Sequence, residues 1–218
     1  MIVDFHVHLG SKKTWYQGTL ALANQFAATN SLNELLEEDG DLKIESYLGY
    51  MDRLGIDCTV VISTYDTYEY VVEKCLNQPR FVPFYTLNPI YTPEPVKALE
   101  KAVEMGFKGL KLYPTYEQYY PNDPAVYPIY AKAQELGIPV MFHTGSSIFP
   151  GSRMKFGNPI FFDDIAVDFP ELKLVMAHSG RGFWYDAAFF LSRLHRNLYM
   201  EISGLPSKKL LQLFPELE

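Results

Sequence analysis

The chain has only two cysteines, Cys58 and Cys75, among its 218 residues, too few for a disulfide framework. They fall in a strand-like and a helix-like segment and read as buried thiols, which suits a reducing, cytoplasmic compartment. Basic residues are also in deficit: 19 Lys and Arg against 26 Asp and Glu leave a net charge of −7. That balance gives no cationic footprint for nucleic acid or for an anionic membrane surface. No apolar run is long enough to span a bilayer. A signal peptide is not expected, because a chemistry-bearing strand begins at Ile2. Internal repeats, low-complexity tracts and linkers are missing too. What is present is 48% hydrophobic and 21% charged, the balance of one soluble globular domain over 1–218 with a sizeable core.

The residues that are there alternate between two periodicities. Short runs rich in Val, Ile, Leu, Phe and Tyr predict strands over 2–8, 58–63, 81–87, 109–113, 138–144, 172–178 and 198–203. Helical patterns separate them over 44–54, 68–76, 93–105, 125–136, 159–168, 184–194 and 207–214. Several of these helices close on a glycine just before the next strand, as at Leu54-Gly55 and Leu136-Gly137. This order implies parallel βαβ units. Seven of them favour an α/β fold of the TIM (β/α)8 type, of which roughly 250 residues is typical. The eighth strand would fall beyond Glu218. The long stretch over 10–43 after strand one, with a capping box at Ser31 and Glu34, is expected to form a lid or substrate wall.

The histidines are sparse but concentrated. His6 and His8 lie two apart on one strand, which puts their Cα atoms about 6.6 Å apart on one face. Two imidazoles at that spacing can converge on one divalent ion. Strict alternation would turn Asp4, His6 and His8 inward and Val3, Phe5 and Val7 toward the helices. His143 and His178 close the fifth and sixth strands, and in a parallel barrel all such ends share the face where active sites form. A lone strand-end histidine is more often a hydrogen-bonding residue; His6, His8 and His143 together argue for a metal, with His178 open to the role of a base beside the metal-bound water. His195, at a helix end, is expected to be no more than a helix C-terminus partner.

Asp4-Phe5-His6-Val7-His8, Gly109-Leu110-Lys111-Leu112-Tyr113-Pro114, Pro139 to Gly145 and Ala177-His178-Ser179-Gly180 together resemble the amidohydrolase superfamily. The branch they are most similar to is the amidohydrolase-related group that includes aminocarboxymuconate-semialdehyde decarboxylase. The resemblance runs from residue 1 to about residue 205. It implies that His6, His8 and His143 are metal ligands and that His178 contacts the reactive water or the substrate. It also implies an aspartate at the end of strand eight, which would lie past Glu218. Two-metal members carry a carbamylated lysine on strand four, a role open to Lys111. The preferred reading of Lys111 is an interior lysine paired with a carboxylate, Asp4 or Glu201. Glu201 in turn could orient a ligand histidine.

The expected cofactor is one divalent ion, Zn2+ first, with Mn2+ and Mg2+ as alternatives. Held by neutral imidazoles with an open position, such an ion acidifies water to a pKa of about 7. The expected activity is metal-dependent hydrolysis of a small acyl or acid substrate. Two alternatives stay open: non-oxidative decarboxylation at the same site, and a catalytically silent binding barrel. Arg181 is the candidate carboxylate clamp. Trp15, Tyr113 and Trp184, with Tyr116 and Phe149 among the other aromatics of the same loops, are candidate walls of an apolar or aromatic substrate site. Part of that aromatic set could instead serve a homodimer interface.

Overall fold

The computed structural model describes residues 1–10, 43–147 and 149–215. The expected wall over 10–43, with its capping box and Trp15, therefore lies almost wholly outside the described residues. The chain divides into two compact units, residues 1–86 with 105–107, and residues 87–104 with 108–218.

The first unit runs β1 (Val3–Val7), α1 (Ile44–Leu54), β2 (Cys58–Ile62), α2 (Tyr68–Lys74) and β3 (Phe81–Thr86). β2 pairs in parallel with both β1 and β3. Thr59 to Ile62 are all buried, the pattern of a parallel strand covered on both faces. α1 turns Tyr47 and Met51, one turn apart, inward. It closes on Gly55, whose N–H returns to the Met51 and Asp52 carbonyls. Arg80 ties this corner together by donating to Asp52 Oδ1 and to the carbonyls of Ile56 and Asp57. Cys75, just past α2, has no exposed surface, and burial pushes its thiol up to about 12. Both cysteines are free thiols.

β1 departs from the expected alternation. Asp4 faces Thr59 and Val7 faces Val61, a step of three residues in β1 against two in β2. This is a β-bulge. Its effect is visible at Phe5, which is 36% exposed rather than turned into a helix-covered face. The Phe5 ring stands edge-on to Phe84 at 6.0 Å.

The second unit holds α3 (Pro95–Met105, apart from Met105), β4 (Gly109–Leu112), α4 (Pro114–Glu117), α5 (Tyr127–Glu135) and β5 (Val140–His143). It continues with α6 (Phe161–Asp168), β6 (Leu174–Ala177), α7 (Tyr185–Leu194), β7 (Leu198–Met200) and α8 (Leu210–Leu213). β4 to β7 pair in sequence order, all parallel. Every residue of β4, β5 and β6 is buried. Phe142 of β5 packs against Tyr130 of α5 at 5.7 Å and Phe162 of α6 at 4.7 Å. Alternation on the same strand then turns Met141 and His143 to the opposite face. Met141 is in register with Lys111 of β4, whose Nζ lies 3.4 Å from the Met141 sulfur.

Two elements differ from expectation. α4 was not anticipated; Pro114 opens it from a position where its missing N–H costs nothing. β7 stops at Met200 instead of reaching residue 203, and Ile202 beyond it is 42% exposed. Seven strands are found among the described residues, and none of the helices there is long and apolar enough to cross a membrane.

Candidate active site

The first unit carries the histidine pair of β1. His6 lies within the strand and His8 just beyond it, and their rings approach to 5.3 Å between centroids at 62°. The bulge does not separate them. Asp4, expected on the same face, bends back so that Oδ1 accepts the His6 N–H at 3.4 Å.

The second unit frames His143 and His178. His143 closes β5 and His178 opens the turn after β6. Adjacent strands in register, with His143 opposite Ala177, bring the two rings to 4.8 Å. The backbone between them is unusually close. Thr144 N–H and Oγ1–H both donate to the Ala177 carbonyl, and Thr144 Oγ1 accepts from Gly180 N–H at 3.0 Å. Ser146 N–H donates to the Arg181 carbonyl at 2.6 Å. A side chain at position 145 would start 2.3 Å from the Arg181 nitrogen, so Gly145 is what lets the two loops touch.

Each imidazole has one nitrogen engaged by a backbone carbonyl. His143 Nε2 lies 3.3 Å from the Ser146 carbonyl, and His178 Nδ1 lies 2.9 Å from the Ser203 carbonyl. Because a carbonyl only accepts, each of these nitrogens carries a hydrogen. Burial holds His143 well below the usual histidine range, helped by the charges of His178, Lys111 and Arg181. A neutral imidazole anchored through one nitrogen is the form in which histidine ligates a metal, so His143 fits the divalent ion implied by the sequence resemblance.

Around this pair the structure assembles charges. Lys111 has no exposed surface, and burial pulls its ammonium down to about 7 against the raising influence of Glu201. Its Nζ also lies 5.2 Å from the Tyr113 ring. Glu201, 8% exposed, sits one residue past β7 and accepts the His178 N–H at 3.2 Å. Arg181 donates from Nη2 to the Ser146 carbonyl at 2.8 Å. The absence of a side chain at Gly204 leaves room for that guanidinium, since a Cβ there would stand 2.5 Å from Nη1.

The aromatic candidates of the loops fall in different places. Tyr113 caps α4, and its ring meets Tyr116 at 5.5 Å. The ring in contact with His143 is Tyr116, at 4.9 Å, backed by Phe149 at 5.6 Å. Burial raises the Tyr116 phenol, partly offset by a hydrogen bond with Ser147 and by the Arg181 charge. Trp184 caps α7 and turns its ring edge-on to the exposed Phe183 at 5.9 Å. Trp15 lies outside the described residues. Ser146 and Ser203 escaped the sequence reading because nothing marks a loop serine as the partner of a histidine distant in sequence. His195, expected to partner a helix C-terminus, follows α7 directly, and its Nε2 pairs with Asp163 of α6 at 2.6 Å.

The comparisons with known proteins agree in kind. An uncharacterised TIM-barrel protein from Bordetella bronchiseptica superposes with a TM-score of 0.71 at 20% identity, covering 95% of this chain and 78% of that one. A probable 2-pyrone-4,6-dicarboxylic acid hydrolase from Acinetobacter baumannii, solved with citric acid bound, gives 0.59 at 16% identity, with 93% and 70% covered. The 5-carboxyvanillate decarboxylase of Novosphingobium aromaticivorans, solved with manganese and 4-hydroxy-3-methoxy-5-nitrobenzoic acid, gives 0.60 at 18% identity, with 89% and 70% covered. These likenesses show a TIM-barrel type of fold. The sequence profile of the amidohydrolases matches residues 3–217, and the chain belongs to the amidohydrolase family.

Proposed function

We propose that the chain is a metal-dependent hydrolase acting on a small apolar or aromatic acid or acyl compound. His6, His8 and His143 are its metal ligands and His178 its proton-handling residue. The observation that carries this reading is the pair of imidazoles at 4.8 Å, His143 buried and His178 half-buried, each anchored through one nitrogen to a backbone carbonyl. A divalent ion bound there supplies Lewis acidity toward a carbonyl oxygen and acidifies water. His178, through Nε2, takes the proton from the attacking water and returns it to the leaving group as the acyl bond breaks. Arg181, with a guanidinium only partly spent on Ser146, binds the substrate carboxylate. Tyr116 and Phe149 give the substrate an apolar side beside His143. Zn2+ is the first candidate ion, and the manganese of the decarboxylase neighbour makes Mn2+ the second.

A second reading is favoured by one finding, the nearness in fold of a decarboxylase that binds an aromatic acid. Here His178, having taken a proton from water at Nε2, passes it to the carbon that carbon dioxide leaves, and Arg181 again holds a carboxylate. The test is metal analysis of the purified protein followed by turnover of aromatic esters, lactones and carboxylic acids, with carbon dioxide release followed in parallel. About one ion per chain and chelator-sensitive ester or lactone cleavage are expected. Carbon dioxide release without hydrolysis would select the decarboxylase. Absence of stoichiometric metal together with turnover indifferent to chelator would remove both readings.

A further inference from the structure

His178 and Ser179 both have positive φ, 65° and 45°, a conformation that costs a residue with a side chain of order 1 kcal/mol or more. Such strain persists only where neighbours impose it, and here they come from the segment after β7. Glu201 Oε2 accepts the His178 N–H at 3.2 Å, and Ser179 Oγ–H donates to the Glu201 carbonyl at 2.8 Å. Ser203 completes the frame. Its N–H donates to Glu201 Oε1 and its hydroxyl to Oε2 at 2.9 Å. The same hydroxyl oxygen lies 3.1 Å from His178 Nδ1, beside the Ser203 carbonyl at 2.9 Å.

Counting hydrogens gives one consistent assignment. A carboxylate only accepts, so the single Ser203 hydroxyl hydrogen is committed to Glu201. The oxygen then has only a lone pair for Nδ1, and the Ser203 carbonyl likewise can only accept. Nδ1 therefore meets two acceptors from Ser203. Glu201 itself stays 4.0 Å from Nδ1, too far for a direct hydrogen bond. The serine hydroxyl stands between them.

We infer that Ser203 is a positioning residue: by bridging the Glu201 carboxylate and His178 Nδ1, it holds His178 as the Nδ1–H tautomer and presents Nε2 as a lone pair. The assignment rests on the reading of His178 as a site residue only for its consequence; the tautomer itself follows from the hydrogen bonds. It gives Glu201 a task distinct from neutralising Lys111. It also explains why the chain leaves β7 at Met200: the turn brings both the carbonyl and the hydroxyl of Ser203 onto the ring.

The test is 15N correlation spectroscopy of the metal-stripped full chain carrying labelled histidine at pH 8, with the His178 signals identified by their loss in His178→Gln. A hydrogen on Nδ1 and a bare Nε2 are expected. A hydrogen on Nε2 overturns the inference, whatever the metal does. In Ser203→Ala the remaining carbonyl keeps the hydrogen on Nδ1, but the ring loses its bridge to Glu201, so the Nδ1 signal should shift and turnover should fall by about tenfold, the lower end of the loss usual for such supports; Ser203→Thr, which keeps the hydroxyl, should restore the wild-type pattern and most of the rate. A Ser203→Ala spectrum identical to wild type overturns the role of the side chain. An Nδ1–H tautomer in a protein whose turnover ignores chelator supports this inference while removing the metal reading, so the two fail separately.

Discussion

The two units carry their histidines in different ways. His6 and His8 owe their approach to spacing on one strand, and they meet although a bulge disturbs that strand. His143 and His178 come from separate strands, and buried register, loop hydrogen bonds and backbone anchors bring them together. His143 is 3% exposed, whereas His8 is exposed. A pair set by spacing can be read off a sequence and tolerates local irregularity. A pair set by a frame is more rigid, and its supports can be broken one at a time.

The largest effect should come from removing the wall behind the frame. Phe142→Ala deletes a ring packed between α5 and α6 one residue before His143, and should cost about 3–5 kcal/mol in urea unfolding. A loss under about 1 kcal/mol would mean that β5 is not held as described. Next, His143→Ala should weaken metal binding by about 100-fold and His8→Ala by about tenfold, because the fixed imidazole has less freedom to lose on ligation. Titration of the stripped protein with Zn2+ measures both, and equal losses would erase the contrast.

Lys111 gives a pH signature specific to the second unit. Its folded pKa, about 7, lies below the ordinary 10.5. Between those values the unfolded chain binds a proton that the folded chain does not, so stability should rise with pH across that window. The cost is fully present below pH 7 and relieved toward 10.5. Lys111→Met should flatten this dependence and raise stability at pH 7 by about 1–4 kcal/mol. A denaturation series from pH 7 to 10 that looks the same in both proteins would refute the burial argument. His143 acts at the acid end: its lowered folded pKa means that stability falls as pH drops below 6.5. The smallest effect belongs to the first unit, where Arg80→Ala should cost about 1 kcal/mol by releasing the carbonyls of Ile56 and Asp57.

Periodicity alone located all seven described strands and the major helices, because a parallel strand must read as a short apolar run and its helix as a stripe. The strand-end positions of His143 and His178 followed from the same pattern. Other features answer to partners that no local window contains. The β1 bulge depends on the register of β2. The positive φ of His178 depends on Glu201, and the approach of Ser203 to His178 on a turn 25 residues away. Only α4 left a usable local signal, the Tyr113-Pro114 step, where a proline can begin a helix as readily as end a strand.

Cys75 has a consequence of its own. A thiol with no exposed surface and a pKa pushed to about 12 cannot react with an alkylating reagent while the first unit is closed. Its labelling rate is then a clock for local opening around α2, read without any isotope. Cys58, partly exposed at the start of β2, reports the ordinary reactivity of the same chain in the same tube. The ratio of the two rates measures how often this part of the protein breathes.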